Sequence, residues 1–329
     1  MVAMKTNPLG RTGLEISEIT FGAGVTGGIL ITADEATQQA VLARAVAAGI
    51  NWIDTAALYG AGASEETIGR CLASLTPPPQ ISTKVRIELD DMGDIAGAIE
   101  RGLTQSLRRL RLDRVALFQL HNQLGEAVGG RPSLQPDDVL RRGGVADTFD
   151  RLKEQGLFAA SGITAAGDTH ACIEVIESGR FDAAQIYYNA INPSAVWSRA
   201  PAGWNGQDFS GIIAACRRQR MGMLNIRVFA GGPLASARPP GRLAVLTSGT
   251  DVDNEMRCAA AVRHALGDAY GTPAQAALRF ALANSALSTR VIGIASLADL
   301  DEALAAVAQG PLPDAVIGRL EALWASDFR

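Results

Sequence analysis

Nowhere in the 329 residues do about 18 apolar residues follow one another, so the chain offers no candidate for a membrane-crossing helix. Residues 1–12 are polar and lack the apolar run of a signal peptide, and the expectation is a cytoplasmic protein. Charged residues are scarce for a disordered chain, at 19%, and no Lys/Arg-rich run occurs. With a net charge of −4 and a pI near 5.5 there is no basic field to attract nucleic acid. There are only four cysteines, Cys71, Cys172, Cys216 and Cys258, far apart and without Cys-x-x-Cys spacing. They read as reduced, buried small hydrophobes, and no metal site is implied. No linker, low-complexity tract or repeat interrupts the chain, so one domain over residues 1–329 is expected.

What is present is apolar material for a large core: 47% hydrophobic residues and a mean hydropathy of +0.11. Short β-branched or apolar runs alternate with longer Ala/Leu/Arg/Glu segments of helical spacing, the pattern of a parallel sheet crossed by helices. The runs fall at 16–21, 51–54, 81–85, 115–120, 159–163, 184–187, 223–228 and 291–294. Eight such strands close a (β/α)₈ (TIM) barrel.

Between them, Ile95, Ile99, Leu103 and Leu107 recur every four residues and predict one buried stripe on a helix over 91–109. Asp34 reads as the cap of a helix over 35–48, and Ser64 as the cap of one over 64–75. Pro273 fits the first turn of a helix ending near Asn284, and 315–325 reads as an extra C-terminal helix outside the repeat. Two stretches, 125–142 and 189–208, resist regular assignment. Both follow strand ends, where loops of this fold build the active site, so they are the expected substrate walls.

Three strands end in an ionisable residue: Asp54, Lys84 and His121. Strand C-termini open on one rim, and Tyr59 sits in the loop five residues past Asp54. A phenol has an ordinary pKa near 10, and a neighbouring ammonium favours its phenolate, which is the service Lys84 would perform. Asp54 would pair with Lys84, and a neutral His121 could donate to a substrate carbonyl oxygen. Singly, each residue has an ordinary structural explanation. Their joint placement on neighbouring strands points to proton transfer beside a developing alkoxide.

The segment Gly49-Ile-Asn-Trp-Ile-Asp-Thr-Ala-Ala-Leu-Tyr-Gly60 followed by Gly62-Ala-Ser-Glu-Glu66 resembles the second strand and loop of the aldo-keto reductases. Ile81-Ser-Thr-Lys84 is similar to their lysine strand, and Ser106-Leu-Arg-Arg-Leu-Arg-Leu-Asp113 through Gln119-Leu-His-Asn122 to their histidine strand. Leu9-Gly-Arg-Thr-Gly-Leu14, residues 182–189 and Thr272-Pro-Ala-Gln275 also fit, so the resemblance covers nearly the whole chain. It implies the tetrad Asp54, Tyr59, Lys84 and His121, with Tyr59 as general acid or base, and a bound NAD(P)(H). It also places Gly22 and Phe229 among the cofactor contacts, and Gln185 on the nicotinamide carboxamide.

The departures from the family pattern concern the cofactor. Gly162-Ile-Thr-Ala165 replaces the usual Ser-Asn after strand five, which leaves Thr164 to take that contact. Asn225-Ile-Arg-Val228 puts Ile226 where an aromatic ring usually stacks on the nicotinamide. Arg227, which follows, is open to three readings: a contact to the cofactor pyrophosphate, a contact to an acidic group of the substrate, or an exposed rim arginine. Asp299 stands where NADP-selective relatives carry an arginine, Glu302 keeps the acidic adenine contact, and Ala303 loses a common asparagine. NAD(H) is therefore expected at least as readily as NADP(H), with Arg227 or Arg290 as substitute clamps for a 2′-phosphate. Ile226 and Asp299 resemble the sugar and aldose dehydrogenase-like branch. The expectation is a monomeric or weakly associating oxidoreductase acting on a small aldehyde, ketone or sugar-like alcohol. Two rivals remain: a Schiff-base barrel aldolase with Lys84 as nucleophile, and a cofactor-occupied regulatory subunit with little turnover.

Overall fold

The computed structural model describes residues 4–127, 130–236 and 247–328. The chain begins with an antiparallel hairpin, β1 (Thr6–Pro8) and β2 (Glu15–Ser17), and only then enters the barrel. The apolar run at 16–21 is thus two strands rather than one, because the backbone breaks at Glu18 between β2 and β3 (Ile19–Gly22). The hairpin closes the barrel floor. Leu9 and Ile16 pack among Trp52, Leu117, Ala160, Ala183 and Leu224. At Gly10 the hairpin passes so close to the start of a barrel strand that an added Cβ would lie 2.2 Å from the backbone nitrogen of Gly222.

The barrel continues through β4 (Trp52–Asp54), β5 (Gln80–Val85) and β6 (Val115–Leu120). A short parallel pair, β7 (Gln123–Leu124) and β8 (Ser133–Leu134), stands above it, and β9 (Phe158–Ala165), β10 (Ala183–Tyr187), β11 (Gly222–Ile226) and β12 (Thr289–Gly293) complete it. The eight barrel strands are all parallel and close in the order β10-β11-β12-β3-β4-β5-β6-β9. Each of the eight runs read from the sequence overlaps a barrel strand, that at 115–120 without shift and the others with ends displaced by up to three residues.

Each barrel strand is followed by a helix, as right-handed parallel crossovers require. They are Glu35–Ala47, Ala63–Cys71, Ile95–Leu110, Val145–Glu154, Thr169–Glu177, Ile212–Arg218, Pro273–Leu282 and Leu297–Gln309. Asp34 caps the first by accepting from the N–H of Thr37 at 2.8 Å. Thr272 caps the seventh, with Pro273 in its first turn. Ile95, Ile99 and Leu103 form the buried stripe, and Leu107 packs at its edge. Ser64 is not a cap. It is buried inside its helix, where its hydroxyl donates to the carbonyl of Ala23 at 2.9 Å and meets that of Thr55 at 2.8 Å. Left-handed Gly62 starts that helix instead. Within 125–142, residues Pro136–Leu140 form a short helix with a Gln135/Asp138 capping box, so that stretch is more regular than its composition suggests.

Two longer helices among the described residues lie outside the repeat, Val252–Leu266 and Asp314–Ala325, besides the single turn Ile29–Thr32. The last carries Trp324, whose indole N–H donates to the carbonyl of Ala190 at 2.9 Å and whose ring meets Phe280 and Trp197. The C-terminal helix thereby fixes the loop that follows β10. All four cysteines are buried and unpaired. No described helix is long and apolar enough to cross a membrane.

Candidate active site

Strand alternation gathers the site. Side chains two apart on one strand share a face, and the inward pairs here are Trp52/Asp54, Ser82/Lys84, Gln119/His121 and the single Gln185. Register does the rest: Asp54 lies beside Ser82, Lys84 beside Gln119, Gln119 beside Gly162, and Gln185 beside Thr164. Gly162 leaves room inside the barrel, since a Cβ there would come within 3.0 Å of the Gln119 side chain.

Asp54 is the hub. It is 3% exposed, and its carboxylate accepts from Lys84 Nζ at 2.6 Å, Ser82 Oγ at 2.7 Å, Gln119 Nε2 at 3.2 Å and Gln185 Nε2 at 3.1 Å. Trp52 Nε1 donates to Ser82 Oγ at 3.0 Å, so the network is anchored from below. A buried ion pair is tolerated only when its remaining hydrogen-bonding capacity is met in this way.

Lys84, 1% exposed, uses all three ammonium protons: on Asp54, on the carbonyl of Thr55 at 2.7 Å and on the hydroxyl of Tyr59 at 3.3 Å. Burial alone would lower its pKa, but the Asp54 carboxylate, with the hydrogen bonds to Asp54 and Tyr59, outweighs it and holds the ammonium above its ordinary range. Tyr59 is half-buried at the rim. Its loop bends back through left-handed Gly60, Ala61 and Gly62, which turns the phenol over Lys84. His121 meets the Tyr59 ring edge-on, with centroids 5.7 Å apart. Its pKa is pushed well below the ordinary value, first by burial and then by the cations Lys84, Arg86 and Arg131, so the imidazole is neutral. Its Nδ1 is buried and has no hydrogen-bond partner among the described residues.

The four residues expected from the sequence therefore stand together. Around them sequence reasoning missed Ser82, Gln119 and Thr55, although Ser82 and Gln119 are each two residues from a named residue on the same strand. It also missed Arg86 and Arg131 at the rim.

The expected cofactor residues are more dispersed. Gln185 is turned inward onto Asp54, and its carbonyl oxygen accepts weakly from Thr164 at 3.5 Å. Gly22 ends β3 between Asp54 and Gly293. Ile226 ends β11, and Arg227 follows with φ 60°, a left-handed conformation that costs a non-glycine residue about 1–2 kcal/mol. Asn189 secures it by donating to the Arg227 carbonyl at 2.9 Å, while Asn225 Nδ2 holds the carbonyls of Tyr188 at 2.8 Å and Ile226 at 3.0 Å. Past Phe229 the chain turns again through Ala230, Gly231 and Gly232, all at positive φ. Asp299 lies in the first turn of helix Leu297–Gln309, and its carboxylate accepts from the N–H of Ala295 at 3.0 Å. Glu302 accepts from the hydroxyl of Thr272 at 2.5 Å.

Arg290 is no clamp. It is 3% exposed, and its guanidinium donates to the carbonyls of Ala281, Leu282 and Asn284, closing the C-terminus of helix Pro273–Leu282. Burial pushes its pKa down to about 10.

The site can be asked whether it fits a nicotinamide dinucleotide. Among the described residues the buried Asn225 Oδ1 and His121 Nδ1 lack partners. They lie at strand ends on the same rim as the glycine-bearing turn 227–232, where a diphosphate can meet backbone N–H groups. The residues present fit the group.

The aldo/keto reductase family model matches residues 18–325. L-galactose dehydrogenase of Arabidopsis thaliana is 24% identical over 94% of this chain and 90% of its own length. A probable voltage-gated potassium channel subunit beta of Oryza sativa is 34% identical over 124 residues, 36% of this chain and 37% of its own. Among solved structures, aldo-keto reductase AKR11C1 from Bacillus halodurans, in its holo form, superposes with a TM-score of 0.72 at 22% identity, covering 97% of this chain and 96% of that one. The chain belongs to the aldo/keto reductase family, a family of oxidoreductases.

Proposed function

We propose that the protein is a nicotinamide-dependent oxidoreductase interconverting a small aldehyde or ketone and its alcohol, with Tyr59 as general acid/base. One observation carries the reading: a single buried ammonium, Lys84, bridges the Asp54 carboxylate and the Tyr59 hydroxyl beside a neutral His121.

A bound nicotinamide supplies or accepts the hydride. Everything else falls to the chain. Tyr59 hands its proton to the carbonyl oxygen in reduction and takes it back in oxidation. The phenolate so formed is stabilised by Lys84, whose charge is locked by Asp54. His121, neutral, donates an N–H to the same oxygen and orients it without competing for the proton. Gln119, Gln185 and Ser82 hold Asp54 in place and exclude water from beneath the ion pair. Gly22, Thr164, Gln185, Ile226, Arg227, Phe229, Asp299 and Glu302 are the residues we assign to the cofactor surface, with NAD(H) accepted at least as well as NADP(H). Arabidopsis L-galactose dehydrogenase is by its name a sugar dehydrogenase; a sugar-like alcohol is accordingly among the substrates proposed here.

A Schiff-base role for Lys84 is disfavoured, because a nucleophilic lysine must shed its proton and this one is held charged by Asp54. The similarity to a channel subunit raises the regulatory alternative, against which the complete set of four residues speaks. The test is to follow the absorbance of reduced nicotinamide with purified protein, both cofactors and panels of aldehydes and sugars. Turnover that depends on Tyr59 supports the reading; tight cofactor binding without turnover on any of them would favour the regulatory subunit.

A further inference from the structure

Two of the segments that resemble the family pattern, Gly62–Glu66 and Ser106–Asp113, are joined by a buried ion pair that the proposed mechanism leaves unused. Glu65, in the first turn of helix Ala63–Cys71, is fully buried. Its carboxylate accepts from Arg109 Nε at 2.6 Å and from the Thr83 hydroxyl at 2.5 Å. Arg109 belongs to the last turn of helix Ile95–Leu110. Thr83 and Lys84 are consecutive on β5 and so point to opposite faces, Lys84 into the barrel and Thr83 out toward the helices. Glu65 therefore grips the back of the strand whose front carries the ammonium.

The same pair bears on Tyr59. Between Tyr59 and helix Ala63–Cys71 stand only Gly60, Ala61 and Gly62, all at positive φ. Gly62 lies against the Arg109 side chain, where a Cβ would come within 2.8 Å of Arg109 Cδ and 3.0 Å of its Nε. Two turns further, Gly69 lets the helices approach until a Cβ would lie 2.2 Å from the Arg109 carbonyl oxygen. Ser64 fastens the first turn to the carbonyl of Ala23 and the hydroxyl of Thr55, and the carbonyl of Thr55 accepts from Lys84. The loop that carries the phenol is thus held at its far end by the ends of β3 and β4, by β5 and by helix Ile95–Leu110.

A buried ion pair is a poor way to gain stability, since apolar side chains of similar volume often fill such a contact as well or better. What this one adds is direction. With Nε on Glu65, the stem of Arg109 is laid across Gly62. We propose that Glu65 and Arg109 are positioning residues, which clamp the turn at Gly62 and thereby set the reach of the Tyr59 hydroxyl to Lys84. The kinetic part of the inference rests on the oxidoreductase reading above, and a misplacement of about 1 Å at a reacting group can cost about 10²-fold in rate.

Glu65→Gln, Arg109→Met and Arg109→Lys test it. With a substrate found in the nicotinamide assay, Glu65→Gln and Arg109→Met should lower kcat by about tenfold to a hundredfold, while KM and cofactor affinity move by less than about threefold. Arg109→Lys keeps the charge and much of the stem and should recover part of the loss. The second readout needs no turnover. The chain has four tyrosines, so in protein isotope-labelled on the tyrosine rings the Tyr59 resonance is identified by its loss in Tyr59→Phe. That ring meets His121 edge-on, which makes its resonance sensitive to a small displacement. It should shift in Glu65→Gln and Arg109→Met and return toward the wild-type position in Arg109→Lys, with the other tyrosines unmoved. If Glu65→Gln does not fold, the two Arg109 variants carry the test, because that side chain is 22% exposed and its replacement leaves a surface site. A Tyr59 resonance that stays in place overturns the proposal whatever happens to the rate, and so does an active enzyme whose kcat is unchanged in these variants. A resonance that shifts as expected in a protein that turns over no carbonyl supports the clamp and counts against the oxidoreductase reading alone.

Discussion

The side-chain amide of Gln185 donates to both carboxylate oxygens of Asp54, at 3.2 and 3.1 Å, across 131 residues of sequence. This contact ties the far side of the barrel, β10, to the ion pair on β4 and β5. Replacing Gln185 by Leu keeps the volume but strips a buried charge of a donor. A buried acceptor left short of a partner costs about 1–3 kcal/mol, and that loss should appear in urea denaturation midpoints. A change under about 0.5 kcal/mol would mean that Lys84, Ser82 and Gln119 satisfy Asp54 without help.

Tyr59→Phe removes the hydroxyl to which the proposed mechanism assigns the proton while leaving Lys84 paired to Asp54. Turnover should fall by about 10²–10⁴-fold, the usual contribution of a general acid/base, with cofactor affinity nearly unchanged in a fluorescence titration. Retention of more than about a tenth of wild-type kcat would remove Tyr59 from that role.

How much of this was legible in the sequence depends on whether the cause was local. The strands were, because β-branched runs and their spacing are local properties, and so were Asp54, Lys84 and His121 at the strand ends. The hairpin was not: Glu15–Ser17 and Ile19–Gly22 read as one run, since the break at Glu18 is imposed by pairing with Thr6–Pro8. Ser64 looked like a cap because its type suits one, but its hydroxyl is claimed by Thr55 and Ala23, residues brought to it only by the barrel. Arg290 likewise looked available for a phosphate. Only the fold reveals the three carbonyls that occupy it.

Glu255 should make stability depend on pH in an unusual direction. It lies on helix Val252–Leu266, and burial raises its pKa to about 7, with Arg227 pulling the other way and Asp251 adding to the rise. Its folded pKa lies above the ordinary carboxyl value, so between about pH 4.5 and 7 the unfolded chain has lost a proton that the folded chain keeps. Its contribution is therefore fully present below that window and is lost as pH rises through it. Glu255→Gln should be stabilised relative to wild type at pH 8 compared with pH 4, by about 1–3 kcal/mol. Denaturation at the two pH values measures the difference, and a gap that shrinks or reverses at pH 8 would show that Arg227 compensates the charge.

On the reading proposed above, cofactor choice is assigned to Asp299. Its carboxylate accepts from the N–H of Ala295, so the first turn of helix Leu297–Gln309 already holds a negative charge where an incoming anion would seek backbone donors. A 2′-phosphate carries close to two negative charges and would meet repulsion there, whereas NADP-selective relatives offer a guanidinium fork. Arg290 provides no compensation, being committed to the end of helix Pro273–Leu282. The expected outcome is that NAD(H) serves at least as well as NADP(H), and that Asp299→Arg moves kcat/KM toward NADP(H) by tenfold or more, about 1.4 kcal/mol. The measurement is kcat/KM for both cofactors with one good substrate. A wild-type protein that preferred NADP(H) more than about tenfold would place the discrimination on another residue, and Asp299 would then be only the cap of Ala295.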